Sequence, residues 1–597
     1  MFGKPHSLAK PAYVLTPAHR EGQAAPADMP GHAVLRNAHH MLTRQRRLDP
    51  ATYPPDPDLA DLLPPDFCLE YRVRPWGRVG DATLVGTIPG RDRTQLRTVL
   101  ERAIGPVLFA DVAEQDMLLI LTDRHADHFA ELAELRVPTE YSCRDINKLT
   151  LSRGLAASLF FGISLALIYL FPNVFFAGIT AVAAINLIAT LVFKIAMLIA
   201  GYKKPPSRPV DVPLAEKPVV SLIVPLYHEA AIANDLVMRL SRLTYPKSLL
   251  DVVLVLEDKD DQTRQMIEAV SLPGWMRVLR VPDGQIKTKP RALNYALGHT
   301  RGDIIGVLDA EDAPATDQIE RVVEAFHTAP SNVACVQGIL DFYNTKSNWL
   351  SRCFTIEYAI WFRIVLAGAA RLGLPIPLGG TTVYLRRAAL KQVGGWDAHN
   401  VTEDADLGIR LYRFGYRTIL IPTVTREEAN NRIVPWIRQR SRWLKGYIIT
   451  YMVHMRRPFR LLRELGARKW IGFQMFFLAT ILQFTLAPAL WSFWLVFLGL
   501  NAPLFEVIPA DWAKGLLALF LFAELVSLLT GFIAVARTQH EDLMQWVPMM
   551  FFYFPMGVFA VYKAWSELVF RPFYWDKTTH GRSEPDRPGG DIHETIR

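Results

Sequence analysis

The run Leu308-Asp309-Ala310-Glu311-Asp312 ends an apolar stretch in two carboxylates one residue apart. Carboxylates so spaced at a strand end can hold a hard divalent cation, Mg2+ or Mn2+, which bridges a diphosphate and neutralises the charge of a departing nucleoside diphosphate. Asp309 and Glu311 are the expected metal ligands, with Asp309 also touching the donor. A second acid group follows in Thr402-Glu403-Asp404-Ala405-Asp406-Leu407. Asp404, with Glu403 beside it, is expected to take the proton from an acceptor hydroxyl as that oxygen attacks a carbon opposite the leaving diphosphate. One such displacement inverts the carbon.

Three further clusters accompany these acids. In Gln439-Arg440-Ser441-Arg442-Trp443, residues four apart share one helix face. Arg442 can bind phosphate through paired hydrogen bonds, while Gln439 and Trp443 are expected at the acceptor, the indole stacking on a sugar ring. Lys287-Thr288-Lys289-Pro290-Arg291-Ala292-Leu293-Asn294 gathers cations where Pro290 opens a helix, a phosphate-friendly position, and Lys289 is the expected donor contact. Pro225-Leu226-Tyr227-His228-Glu229 and Glu257-Asp258 each follow an apolar run. Pro225, Tyr227, Glu229, Glu257 and Asp258 are expected to contact the donor, the acids accepting hydrogen bonds from a base or ribose.

Positioning these groups requires an α/β sheet. Strand patterns at 218–225, 251–256 and 303–308 alternate with helix patterns at 229–243 and 261–270, within a domain placed at 202–430. Ligands of such sheets bind at the carboxyl ends of the strands, where these clusters fall.

Half of the 597 residues are hydrophobic and 21% are charged, but the apolar residues are gathered into blocks at 155–193, 470–505 and 543–562. A single helix of about 40 residues would be roughly 60 Å long against a hydrocarbon core of about 30 Å, so the first block is expected to form a hairpin turning at Pro172-Asn173. Splitting 470–505 near Pro488 gives four spans in 470–567 and six in all. Basic residues flank these blocks, from Arg144, Lys148 and Arg153 through Arg456 to Lys469. This accounts for the net charge of +8 without nucleic acid and puts the catalytic domain and both termini in the cytosol of a bacterial inner membrane. Lys194 is expected to snorkel to the interface; Glu524 lines a polar path or packs against a neighbouring polar group. Stretches 347–371 and 431–469 alternate charge with aromatics and are expected at the membrane surface.

Residues 1–60 read as a flexible leader with no cleavable signal, and 61–145 as a small cytosolic α+β domain with short apolar runs at 82–86 and 117–121. Cys68, Cys143, Cys335 and Cys353 lack metal-ligand spacing and are expected to be reduced thiols.

The ordered clusters resemble family 2 inverting membrane glycosyltransferases, which include the cellulose and hyaluronan synthases, over residues 150–580. The resemblance implies a GT-A-like nucleotide-sugar-binding domain inserted between transmembrane helices. Asp309 and Glu311 match the metal site, Asp404 the base, and Gln439, Arg442 and Trp443 the QxxRW element beside the acceptor. Glu311 stands where cellulose synthases have Asp. No PilZ-like domain follows the last expected span, so regulation by that route is not expected. The domain at 61–145 resembles the N-terminal domain of type II secretion ATPases, implying contact with a secretion complex or a nucleotide messenger. In the tail at 568–597, the stretch 573–581 resembles a gating loop, which would put Lys577, Thr578 and His580 over the bound donor; a plain polar tail is the other reading. The leading expectation is a processive enzyme using a UDP-sugar to elongate and export a polysaccharide. The alternatives are single transfer to a lipid carrier and a non-catalytic membrane scaffold or receptor.

Overall fold

The computed structural model describes residues 47–90, 92–148, 151–202, 212–227, 233–497 and 510–574. Most of the expected leader, the expected donor contact Glu229, and the expected gating residues Lys577, Thr578 and His580 lie outside the described residues.

The N-terminal domain contains β1 (Arg47–Leu48), α1 (Pro65–Tyr71), β2 (Val73–Val79), β3 (Ala82–Thr87), α2 (Arg93–Ile104), β4 (Val107–Val112), α3 (Glu114–Arg124) and α4 (Ala126–Leu135). Its strands lie in the order β1-β4-β3-β2. The short apolar run 117–121 is the middle of α3: Met117, Leu118 and Leu121 are buried at helical spacing while Leu119 is exposed.

Helices α5 (Leu151–Leu170) and α6 (Pro172–Gly201) follow, separated at Phe171, with Pro172 in the first turn of α6. The catalytic-domain elements follow: β5 (Val220–Leu226), α7 (Ala233–Ser241), β6 (Leu250–Glu257), α8 (Asp261–Glu268), β7 (Met276–Val281), α9 (Lys289–His299), β8 (Ile304–Val307), β9 (Ala313–Pro314), α10 (Gln318–Thr328), β10 (Val333–Phe342), α11 (Trp349–Arg371), β11 (Val383–Arg386), α12 (Arg387–Gln392), α13 (Glu403–Arg413) and β12 (Arg417–Glu427). The sheet order is β7-β6-β5-β8-β11-β10-β12-β9. Strands β5 to β8 are mutually parallel, and β11 runs against both β8 and β10. The chain leaves β5 for β6 on one side and returns to β8 on the other, so a crevice opens between the carboxyl ends of β5 and β8. Every residue of β6 and β10 is buried, as strands covered on both faces require.

One apolar core runs from Phe67, Val85 and Phe129 of the N-terminal domain into Leu293 and Leu297 of α9 and the sheet residues Val253 and Ile305. Polar contacts reinforce this seam. Arg72 donates to the carbonyls of Gly298 at 2.9 Å and Thr300 at 3.1 Å. Asp397 accepts the Ser142 hydroxyl at 2.9 Å and the Cys143 N–H at 2.8 Å. All four cysteines are buried and free.

After β12 come α14 (Ile433–His454), α15 (Pro458–Leu465), α16 (Ala467–Gln474, continuing through Met475–Ala479 into Thr480–Phe497), α17 (Ala510–Val535), α18 (Glu541–Tyr553) and α19 (Met556–Phe570). Pro488, expected to divide two spans, lies inside α16. Proline removes one donor, but unwinding in an apolar environment would strip partners from more backbone groups, so the helix continues.

The expected span at 544–567 falls on two helices that together are long and apolar enough to cross a membrane. Helices α18 and α19 meet at 47°. Trp436 of α14 donates to the Tyr553 hydroxyl at 2.9 Å, and Lys445 of α14 bonds Glu567 at 2.9 Å and the Tyr574 carbonyl at 2.7 Å. With the end of α18 and the end of α19 tied to one helix, α19 runs alongside α14.

Helix α11 is long and apolar enough to cross a membrane, yet it packs across the end of α6. Gly368 abuts the Met197 backbone, and Arg371 donates to the Ala200 carbonyl at 2.7 Å. Arg537, just after α17, donates to the Gly201 carbonyl at 2.8 Å, joining the domain-side ends of α6 and α17. Among the described residues the helices long and apolar enough to cross a membrane are α6, α11, α16 and α17, with α18 and α19 together a fifth candidate. Lys194, expected to snorkel, donates to Ser527 of α17 at 2.8 Å, one turn from Glu524.

Candidate active site

The acid step after β8 is shaped by its third carboxylate. Asp312, 1% exposed, accepts the Asp309 N–H at 2.7 Å and a hydrogen bond from the Thr381 hydroxyl. Burial, then repulsion from Asp309 and Glu311, pushes its pKa well above the carboxylate range. Asp312 ties the turn down, while Asp309 and Glu311 line a cavity of about 630 Å³.

Lys289 reaches the same place from the first residue of α9. Thr288 is the N-cap, and its hydroxyl donates to the Ala398 carbonyl at 2.8 Å. The Lys289 ammonium pairs with Asp309 and donates to the Gly380 carbonyl at 3.0 Å. Burial opposes its charge, but Asp309, Glu403 and Asp404 outweigh that, and its pKa lies above the usual lysine value. The other cations of the cluster are engaged elsewhere. Lys287 pairs with Asp283 at 3.1 Å, and Arg291, fully buried, donates to Glu257 at 3.4 Å. Burial, only partly offset by Arg291, raises the Glu257 pKa to about 7.

Facing this group, Thr402 precedes α13, so Glu403 and Asp404 occupy its first turn, where backbone N–H groups and the helix dipole favour negative charge. Asp404 accepts the Ala405 N–H at 2.7 Å. A side chain at Gly380 would put its Cβ 3.1 Å from Asp404 Oδ2 and 3.8 Å from Lys289 Nζ, so glycine lets both approach. Burial raises Asp404 to about 6 against the pull of the Ala405 N–H, Lys289 and Arg442. Burial and the Asp404 charge raise Glu403 to about 8. Two adjacent carboxyls with separated pKa values suit one to act as a base near neutrality while its neighbour stays protonated.

Helix α14 closes the opposite wall with Gln439, Arg442 and Trp443. Asn430 donates to Gln439 at 2.9 Å. The Arg440 guanidinium lies 4.6 Å from the Trp443 ring, 4.9 Å from Phe354 and 5.1 Å from Trp436, and pairs with Glu357 of α11. Tyr553 donates to the same carboxylate at 2.5 Å. Tyr358, Trp361, Tyr447 and Phe484 make this end of the cavity aromatic.

Pro225, Tyr227, Glu257, Lys289, Asp309, Glu311, Glu403, Asp404, Gln439, Arg442 and Trp443 therefore share one cavity. Asp258 does not line it: its side chain is exposed and its N–H bonds the Val281 carbonyl at 3.1 Å. Sequence reasoning passed over Asp312, Glu357 and Glu427. Only the acid directly after Glu311 carried a signal, as part of the same cluster.

Among the described residues no three His, Cys, Asp or Glu side chains gather as a complete metal site. Asp309 and Glu311 fit instead a cation that takes one or two protein carboxylates and completes its shell with substrate phosphates.

Residues 218–446 match the model described as glycosyltransferase like family 2, and residues 43–111 match the MshEN domain. The chain is 30% identical over 266 residues to a beta-monoglucosyldiacylglycerol synthase of Trichormus variabilis, covering 44% of this chain and 55% of that protein. It is 28% identical over 251 residues to the cellulose synthase 1 catalytic subunit [UDP-forming] of Komagataeibacter xylinus, covering 40% and 32% respectively. The chain thus spans about half the length of the first relative and a third of the second. Among solved structures, a mannosyltransferase from Pyrobaculum calidifontis in complex with GDP-Man and Mn2+ superposes with a TM-score of 0.44 at 18% identity, covering 66% of this chain and 98% of that one. The mixed sheet with its acid step at the β5/β8 crevice and the matched family model lead to one conclusion: the chain carries a glycosyltransferase family 2 domain of GT-A-like fold together with an MshEN domain.

Proposed function

We propose that this protein transfers a sugar from a nucleotide-sugar donor, with UDP as the nucleotide, to a growing glycan, and that it works processively, exporting the product across a bacterial inner membrane. The observation that carries the reading is the meeting of Asp404 with Lys289 and Asp309 at one end of a cavity whose other end is aromatic. Lys289 and Arg442 hold the donor diphosphate. Mg2+ or Mn2+ on Asp309 and Glu311 would neutralise the charge that builds on the departing diphosphate. Asp404 takes the proton from the acceptor hydroxyl, whose oxygen bonds the anomeric carbon as the bond from that carbon to the diphosphate breaks. The anomeric configuration inverts. Trp443 and the rings around it stack the acceptor sugar.

The basic residues between Arg456 and Lys469 support a cytosolic catalytic domain by the positive-inside rule. Screening UDP-sugars with Mg2+ or Mn2+ for release of UDP, in wild type and in Asp404→Asn, tests the chemistry. No release by the wild-type protein with any donor would overturn it.

Single transfer to a lipid acceptor is the second reading. It is favoured by the reach of the cavity to Phe484 of α16 and to Phe554 and Gly557 beside it, and by the likeness to the glucosyldiacylglycerol synthase. Product length in membrane vesicles separates the two, a ladder of chains supporting processive elongation and one-sugar glycolipid supporting single transfer.

A further inference from the structure

Glu427 is the last residue of β12, where it pairs in register with Phe342 at the end of β10. Its backbone is anchored there, its carbonyl accepting the Tyr343 N–H at 3.1 Å. Its side chain lines the cavity. Other acids of that cavity are engaged: Asp309 by Lys289, Glu257 by Arg291, Glu357 by Arg440 and Tyr553, and Asp404 by the Ala405 N–H. The Glu427 carboxyl has no hydrogen-bond or ion-pair partner among the described residues. Its electrostatic neighbours are mostly of its own sign, Asp312, Glu311 and Asp309, with Lys289 the weaker opposite influence. Toward the aromatic end it is the leading charge acting on the Tyr358 phenol.

An acid in this position contributes nothing evident to the fold, because a half-buried polar group without a partner is destabilising and three like neighbours add to the cost. A ligand can supply what the protein withholds. The position lies between the carboxylates assigned to the diphosphate end and the rings assigned to the acceptor. A hydroxyl-rich molecule bridging those two ends would present a donor and acceptor there, and a carboxyl pairs with a hydroxyl in either protonation state.

Resting on the glycosyltransferase reading above, we infer that Glu427 is a specificity-determining residue that binds a ring hydroxyl of a sugar lying between the phosphate and aromatic ends of the cavity. The sugar is the one being transferred or the first sugar of the acceptor, and the two share this chemistry.

The experiment is a kinetic comparison of wild type, Glu427→Ala and Glu427→Gln in the full-length membrane protein, with donor and acceptor analogues that each lack one hydroxyl. Glu427→Ala is expected to lose roughly 10- to 100-fold in kcat/KM, the loss found when a buried hydrogen bond to a substrate hydroxyl is removed. Glu427→Gln, which still pairs with a hydroxyl, retains most of the activity. UDP affinity stays at the wild-type value in both, and melting temperature stays at or above it, since the carboxyl that is replaced has no partner among the described residues. Against the matching deoxy analogue, Glu427→Ala loses nothing further relative to wild type, because the partner is already gone. If that analogue belongs to the donor, Glu427 reads the transferred sugar; if to the acceptor, the acceptor. Unchanged kcat/KM in Glu427→Ala overturns the inference, as does a joint fall in UDP affinity and melting temperature, which marks a structural role. A wild-type protein inactive with every nucleotide-sugar defeats the underlying reading instead.

Discussion

The Lys289 ammonium lies against the Asp309 carboxylate, with the Gly380 carbonyl accepting a second of its hydrogen bonds at 3.0 Å. Asp309 is also an expected ligand of the divalent cation, so lysine and cation compete for one carboxylate. Lys289→Met should bind Mn2+ more tightly in the absence of donor and bind UDP more weakly, both by severalfold. Calorimetric titration measures each, and an unchanged Mn2+ affinity would break the link between the two cations.

Asp404→Asn keeps the shape of the first turn of α13 and removes the base. Sugar transfer should fall about 10²- to 10⁴-fold, the range over which a positioned base acts, while UDP still binds. Full transfer by this variant would remove Asp404 from the chemistry.

The pH dependence follows from the same carboxyl. Burial raises the Asp404 pKa to about 6, and the basic form is the active one, so kcat/KM should fall as pH drops through about 6. Lys289 lowers that pKa, so Lys289→Met should move the acid limb to higher pH. For stability the sign comes from Glu403, whose pKa is raised from 4.5 to about 8. The folded state holds this proton more tightly, so the contribution is complete below pH 4.5 and is lost as pH rises through 8. Glu403→Gln should therefore flatten the decline in thermal stability over that window, as read from melting temperature against pH.

Gly446 of α14 faces Thr402, where any Cβ would collide with the threonine side chain. Gly446→Val should cost about 1–3 kcal/mol of stability. Because Thr402 leads into the turn that carries Glu403 and Asp404, turnover at temperatures where the variant remains folded should fall as well. Normal turnover in a folded Gly446→Val protein would show that the helix contact does not set the base.

Asp397 holds the N-terminal domain through the Ser142 hydroxyl and the Cys143 N–H. Asp397→Ala leaves two buried donors without a partner, an expected loss of about 1–3 kcal/mol. Hydrogen exchange should quicken at 142–143 first, and then in α9, which shares the seam; unaltered exchange there would mean the apolar core alone holds the two domains together.

Much of the site was legible because its chemistry is local. Asp309 and Glu311 follow an apolar strand pattern, and acids in that position fall at the mouth of an α/β sheet whichever way the rest of the chain is folded. Gln439 and Trp443 share a helix face by spacing alone. Pro290 marks the start of α9, and so the location of Lys289, through its missing N–H. Polarity at short range also separated the soluble domains from the apolar blocks.

Longer-range decisions belong to the tertiary structure. Nothing in Thr425-Arg426-Glu427-Glu428 singles out Glu427; it enters the cavity because β12 pairs with β10 in one particular register, and a shift of one residue would turn it to the other face. Asp312 and Glu311 are neighbouring carboxylates, yet Asp312 is drawn away from the cavity that Glu311 lines, because Thr381, distant in sequence, bonds to it. Hydropathy measures how apolar a helix is, but not how it bends or what it packs against, so the break between α18 and α19 and the bonds from Trp436 and Lys445 that tie this pair to α14 are set by the tertiary structure. In each case the deciding energy is a contact between residues far apart in the chain, which no local pattern encodes.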